Sequence, residues 1–334
     1  MEPTLLGRRA FLTFLGCALA SRPAPSFAQQ KTVRIVAVLM GFSEDPEAKA
    51  RANAFEQCLK KKGWAIGEDL RIEYRFSGGN IDRMRAFAEE FAALRPDCIV
   101  GQSTPVVRAL MEATRTIPIV FVAVTDPIGS GFVSSMASPG GNATGFTIIQ
   151  GTITGKYLSI LRELIPGLTR AAIVYNPASA PGAGKVFLPA FVQAAAEYKI
   201  EPITIPVHNA AEIETSFARL AGQPDLGMIV MPDNFTSLNR KLFTTLAARY
   251  RIPTIYPYRY FVEAGGLLSY GVDAIDLFRQ AADYVSRILR GENPADLPVQ
   301  APTKFELVIN LRAAKDLGLT VPRVLLAGAS DVYH

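Results

Sequence analysis

The chain has 334 residues, 49% of them hydrophobic, with a formal net charge of +5. That is enough to bury more than one core, but it offers no basic run of the kind that tracks nucleic acid. Two histidines, no HExxH, no CxxC and no Asp-rich calcium loop leave metal sites and Ser-His-acid catalysis without their usual residues.

Residues 1–28 read as an export address. Arg8-Arg9-Ala10-Phe11-Leu12 opens it, an apolar core of about 10 residues runs to Ala20, and Ser26-Phe27-Ala28 is a small-x-small exit. The paired arginines point to the twin-arginine route and so to the periplasm. The core is too short to span a bilayer, and Pro23 and Pro25 would interrupt a helix of the mature domain. Cys17, after Leu15-Gly16, is set aside as a lipid-attachment site because Phe14 suits one poorly and cleavage there would leave a Pro-rich tail. Removing residues 1–28 takes away three arginines and one glutamate, lowering the charge from +5 to +3. No later apolar run reaches the roughly 18 residues of a membrane span, so no membrane insertion is expected after cleavage. Outside the cytoplasm a nucleotide-like fold is expected to hold a free solute, and no cofactor is expected: no GxGxxG follows the first strand, and the glycines at 140–145 lack a Lys-Ser/Thr pair.

From Lys31 apolar strand runs alternate with amphipathic helices, the pattern of a parallel sheet covered on both faces. The spacing predicts a strand over 33–40, a helix over 46–62 with Ala52, Phe55 and Leu59 on one face, and a strand over 70–76. A helical stripe of Met84, Phe87, Ala88 and Phe91 follows, then a strand over 97–101, a helix over 106–113 and a strand over 117–124. Residues 126–145 carry five glycines and two prolines and read as a boundary or binding loop. Beyond it helices are expected over 153–165, 184–198, 210–221 and 236–250, and strands over 171–175, 201–207, 226–231 and 254–256. A helix over 273–290 with Phe278, Ala282, Val285 and Leu289 inward, and strands over 266–270 and 304–310, complete the pattern. Cys58 and Cys98 read as small buried hydrophobes, and Lys60, Lys61 and Lys62 as the solvated end of a helix. The expected division is one lobe of 29–145 plus about 257–290, and a second of 146–256 plus about 291–334. Several crossings between two stiff lobes favour rotation about one axis, hence closure around something in the cleft.

Ligands of open parallel sheets bind beyond the carboxyl ends of the strands. Those positions hold Phe42 and Ser43, Ser103 and Thr104, Thr125 and Asp126, Asn176, Asp233 and Asn234, and Tyr256 and Tyr258. Thr104 suits an N-cap and Pro105 a first helical turn, which would turn free N–H groups toward a ligand carboxylate. Asp126 before Pro127 could pair with an ammonium group, and Phe42, Tyr256, Tyr258 and Tyr270 could offer ring faces. Each has a plainer alternative: Thr104 capping its own helix, Asp126 tying down its loop through an Asx-turn, the tyrosines serving as core or rim.

Four strings carry a family resemblance: Ile117-Pro-Ile-Val-Phe-Val-Ala-Val124 with Asp126-Pro127; Pro139-Gly-Gly-Asn142 through Thr144-Gly145; Phe261-Val-Glu-Ala-Gly-Gly266 with Ser269-Tyr-Gly271; and Pro302-Thr-Lys-Phe-Glu-Leu-Val-Ile-Asn-Leu311. Over about residues 31–332 the chain resembles the ABC-transporter substrate-binding proteins that include tryptophan and tyrosine uptake receptors. The resemblance implies an α/β type I periplasmic-binding fold: two Rossmann-like lobes with parallel sheets, joined by three crossovers. It also implies delivery of a small-molecule solute, an amino acid among the candidates, to an inner-membrane ABC permease. By the same analogy Ser103, Thr104, Asp126, Asn176 and Asp233 fall at ligand contacts. The sequence departs at residues 40–45, at Thr125 and at Asn234-Phe235, all cleft positions. A monomeric receptor without enzymatic activity is expected. The alternatives are a periplasmic enzyme such as a small-amide hydrolase, and the ligand-binding part of a sensory system.

Overall fold

The computed structural model describes residues 33–148 and 152–334; the expected export signal lies outside them. The first lobe runs β1 (Arg34–Met40), α1 (Pro46–Lys61), β2 (Leu70–Phe76), α2 (Ile81–Leu94), β3 (Cys98–Gln102), α3 (Thr104–Ala113), β4 (Ile119–Val124) and β5 (Ala143–Thr147). Its sheet is parallel with order β2-β1-β3-β4-β5. Strand alternation sends Ala37, Leu39, Ile99 and Phe121 toward Met84 and Phe91 of α2 and Val107 and Leu110 of α3. Val36, Val38, Val100 and Val120 point the other way, to Phe55 and Leu59 of α1.

The second lobe begins with α4 (Ile153–Leu164), β6 (Arg170–Tyr175), α5 (Leu188–Glu197), β7 (Glu201–Pro206), α6 (Ala210–Leu220) and β8 (Leu226–Val230). It continues with α7 (Asn234–Leu238), α8 (Arg240–Tyr250), β9 (Thr254–Tyr256), α9 (Arg259–Glu263) and β10 (Leu268–Gly271). Then come α10 (Ala274–Leu289), β11 (Glu306–Asn310), α11 (Leu311–Asp316), α12 (Arg323–Gly328) and β12 (Asp331–Tyr333). The seven-stranded sheet has order β12-β11-β10-β9-β8-β6-β7, antiparallel only between β10 and β11.

Helix α10 returns to the first lobe. Asp273 caps it through the amides of Ile275 and Asp276, and its apolar stripe of Phe278, Ala282, Val285 and Leu289 is buried, as its periodicity predicts, against α1, β3, β4 and β5. The chain therefore passes between lobes three times: from β5 to α4, from β10 to α10, and from the strip beside β5 to β11. In that strip the Gln300 amide donates to the Gly145 carbonyl at 2.9 Å, and Thr144 Oγ1 donates to the Leu297 carbonyl at 2.6 Å.

Several expectations need correction. Strand β10, expected in the first lobe by order of appearance, pairs in the second sheet, because Leu268 aligns with Ile255 and Ile309; β11, in the segment expected in the second lobe, is its antiparallel neighbour there. Only α10 of the 257–290 segment turns back, whereas part of the 291–334 segment flanks β5. The loop over 126–145 ends in strand β5. Gly145, at φ +150, makes that strand possible, since a Cβ there would sit 2.0 Å from the Phe121 carbonyl oxygen. The helix expected over 236–250 divides at Asn239. That over 184–198 starts at Leu188, behind a turn in which Gly182 and Ala183 have positive φ.

Candidate functional site

Each sheet reverses its strand order once in a way that opens a crevice, between β1 and β3 in the first lobe and between β6 and β8 in the second. The segments following these four strands meet in one cleft. Phe42, Gln102, Ser103 and Thr104 line it from the first lobe; Ser179, Asp233, Asn234 and Ser237 line it from the second, with Tyr258 from the turn after β9.

On the first lobe the backbone itself is unusual. Ser103 has φ +84 and ψ 155, a region nearly confined to glycine, and is the N-cap of α3 without a side-chain cap bond. Ala123 has φ +58 where the β4–β5 register slips, a bulge that brings this alanine into the cleft lining. Both strained residues sit at the strand ends, where a serine hydroxyl and the positive end of α3 are presented together. Gln102 Oε1 accepts from the Gly41 amide at 2.9 Å and Thr104 Oγ1 from the Thr125 amide at 3.2 Å, so these side chains lace the three loops together.

On the second lobe Asp233 caps the short helix α7. Its carboxylate accepts from the amides of Thr236 at 2.7 Å and Asn176 at 3.0 Å and from Ser179 Oγ at 3.0 Å. It is nonetheless only 7% exposed, and burial outweighs these bonds, pushing its carboxyl up to about 6. Asn176 stands behind it, donating to the Val207 carbonyl and accepting from the amides of Ala178 and Ser179. Its role is to shape the loop that carries Ser179. The phenol of Tyr258 is also raised by burial, and its ring stacks on Tyr260 at 5.2 Å.

The lobes touch directly. Asn234 Nδ2 donates to Ser103 Oγ at 2.9 Å across the cleft, and Arg240 Nη2 lies 3.1 Å from Asp45 Oδ2. Gly41 has to lack a side chain here, since a Cβ would stand 2.3 Å from Asn234 Nδ2. The space left at the centre is about 20 Å3, about one water molecule's worth, so entry of any larger molecule requires the lobes to part. A wider depression of about 490 Å3 at Gln223, Asp225 and residues 249–253 lies at the amino ends of the strands, opposite to where such sheets bind.

Of the residues expected from sequence, Phe42, Ser103, Thr104, Thr125, Asp233, Asn234 and Tyr258 line this cleft. Asn176 supports it from behind. The others are placed elsewhere. Asp126, at φ +49, accepts from the Gly129 amide at 2.9 Å and so closes its own turn, the plainer of its two readings. Ser43 is exposed at the rim. Tyr256 still belongs to β9, so its fully buried ring packs beneath α8 and stacks on Phe261 at 4.9 Å. Tyr270 belongs to β10 and stacks at 5.5 Å on Phe305, which lies just before β11. Gln102 stands at the same strand end as Ser103 and Thr104, where the strand-end rule looks; Ala123, Ser179 and Ser237 went unforeseen, and extending that rule to the turn after Asn176 would have found Ser179.

Residues 35–333 match the family described as ABC transporter substrate binding protein. A tyrosine-binding protein of Clostridioides difficile is 26% identical over 282 residues, covering 83% of this chain and 79% of the relative. Among solved structures, a conserved domain protein from Vibrio cholerae is 30% identical with a TM-score of 0.83, covering 90% of this chain and all of that one. An ABC domain in complex with L-Trp from Streptococcus pneumonia is 24% identical with a TM-score of 0.82, at the same coverage. The ligand-free, open structure of a substrate-binding protein with adhesive properties from Clostridium difficile is 25% identical with a TM-score of 0.68, covering 90% and 99%.

Proposed function

Since the chain belongs to the ABC transporter substrate-binding protein family, the extracytoplasmic solute-capturing components of importers, we propose that its solute is a free α-amino acid held between the lobes. One observation carries this reading: a single cleft joins the uncapped start of α3, suited to a carboxylate, to the buried carboxyl of Asp233, suited to an ammonium group. Among the described residues no basic side chain lines it. The solute's side chain would lie between Phe42 and Tyr258, whose rings accept an aromatic or aliphatic group. The names of the tyrosine-binding relative and the L-Trp complex agree with a solute of this class.

Capture proceeds by closure. The poorer overlay on an open relative is what rotation of one lobe about the three crossings would produce, and the Asn234–Ser103 bond exists only when the lobes meet. The reading extends to export through Arg8 and Arg9, to the periplasm as the working compartment and to a permease as the receiver. Changing both arginines to lysine should leave precursor in the cytoplasm.

The test is a thermal-shift and calorimetric screen of the mature chain against the amino acids, with sugars and aromatic acids lacking an amino group as controls. A true solute at about 100 times its Kd stabilises by about 2.7 kcal/mol, a shift of a few degrees for a chain of this size. Binding confined to sugars, or to acids without an amino group, would overturn the assignment, as would chemical conversion of the solute.

A further inference from the structure

We propose that Arg51 is a positioning residue for capture: a buried cation that holds the Phe42 wall of the cleft and finds its second aromatic partner only when the lobes meet. The proposal rests on the capture reading above. Arg51 lies on α1 of the first lobe, yet it is only 3% exposed. Its guanidinium lies over the ring of Phe42, 4.7 Å from the centroid, and over that of Tyr260 on the second lobe at 5.4 Å. Tyr260 in turn stacks on Tyr258. Phe42, Arg51, Tyr260 and Tyr258 thus form an arc whose two ends line the cleft, while Arg51 itself does not.

Burying a cation is costly, so its surroundings need to repay it. Within its own lobe Arg51 has Phe42 and Glu47, whose carboxylate oxygen is 3.8 Å away. The remaining face is supplied from the other lobe by Tyr260, which is itself fixed by a hydrogen bond from its hydroxyl to Ser237 Oγ at 3.0 Å, on the helix that follows Asp233. When the lobes part, Arg51 keeps Phe42 and Glu47 but loses Tyr260, so the face of the guanidinium that Tyr260 covered returns to water and Phe42 is held by a less buried cation. Closure and the shape of the ligand wall are therefore coupled through one side chain. A planar guanidinium is required, because an ammonium cannot stack between two rings.

The experiment measures solute association and dissociation rates by stopped-flow for the mature wild type, R51K, Y260L and the double variant, using an amino acid retained by the wild type. Each single change should raise the dissociation rate about 5- to 30-fold, the value of a desolvated cation–π contact, with the association rate altered less than about threefold. The shared contact is read as the coupling between the two changes: Y260L also removes the stack on Tyr258, the bond to Ser237 and the ring beneath Arg240, and R51K also alters the contact with Phe42, so the double variant should release clearly more slowly than the product of the two single effects. Y260L leaves the first lobe untouched and so reports on the contact even where R51K unfolds that lobe. Unchanged dissociation in Y260L, or effects of the two changes that multiply, would overturn the role of Arg51 while leaving capture standing. A wild type that binds no amino acid would instead overturn the capture reading, and this proposal with it.

Discussion

Replacing Asp233 by asparagine separates its part in the fold from its part in recognition. In the folded protein burial holds its carboxyl at about 6, against an ordinary 3.8. The folded chain therefore binds this proton more tightly than the unfolded chain. The stability it lends is complete at low pH and is lost as pH rises through 6, which amounts to about 3 kcal/mol by pH 7.5. Asparagine removes that cost but cannot accept from all three donors now facing the carboxylate, and each orphaned donor costs about 1–3 kcal/mol. The two effects oppose, so unfolding of the ligand-free variant at pH 7.5 should stay within about 2 kcal/mol of wild type. Binding should behave differently. Loss of a charge-assisted bond of about 1.5–3 kcal/mol weakens an amino acid roughly 10- to 150-fold. A bound ammonium also needs the ionised carboxyl, so wild-type affinity should fall about tenfold per pH unit below 6 and the variant's should not. Calorimetry at pH 5, 6 and 7.5 with denaturant unfolding checks both. A wild-type affinity flat across this range, or a variant that binds as well as wild type, would refute the argument.

Three further outcomes follow from the geometry. Asp126→Ala should leave solute affinity within about twofold and cost about 1 kcal/mol of stability through the lost turn bond, read by calorimetry and urea unfolding. Gly41→Ala places a methyl where Asn234 must enter; affinity should drop at least about tenfold, with the unfolding midpoint of the ligand-free chain little changed, because closure and not the lobe is obstructed. Tyr157→Phe removes a fully buried hydroxyl that has no hydrogen-bond partner among the described residues. It should stabilise the chain by about 1 kcal/mol, a rise of a few degrees in Tm.

Local chemistry carried much of the architecture. Alternation of valine and isoleucine in β1 and β3, the stripe of α10 and the caps at Asp45, Asn80 and Asp273 depend on neighbours in the chain, so two lobes of parallel strands and helices were legible in order. The strand-end rule likewise reaches Ser103, Thr104, Asp233 and Tyr258 from the sequence alone. It could not say which way a side chain turns. Asp126 and Asp233 look alike in sequence, each an acid following a strand, yet one is spent on the Gly129 amide and the other is buried facing the cleft.

Pairing partners were decided by the tertiary structure alone. Strands β10 and β11 lie on either side of α10 in sequence, and nothing local distinguishes joining the first sheet from joining the second; the register of Leu268 with Ile255 settles it. The contacts of Arg51 with Tyr260 and of Asn234 with Ser103 join residues on separate lobes. Periodicity fixes which face of an element is apolar because adjacent residues share one backbone geometry. Which faces of distant elements meet depends on how the whole chain packs its cores, and that information is distributed over every crossing rather than written at any one residue.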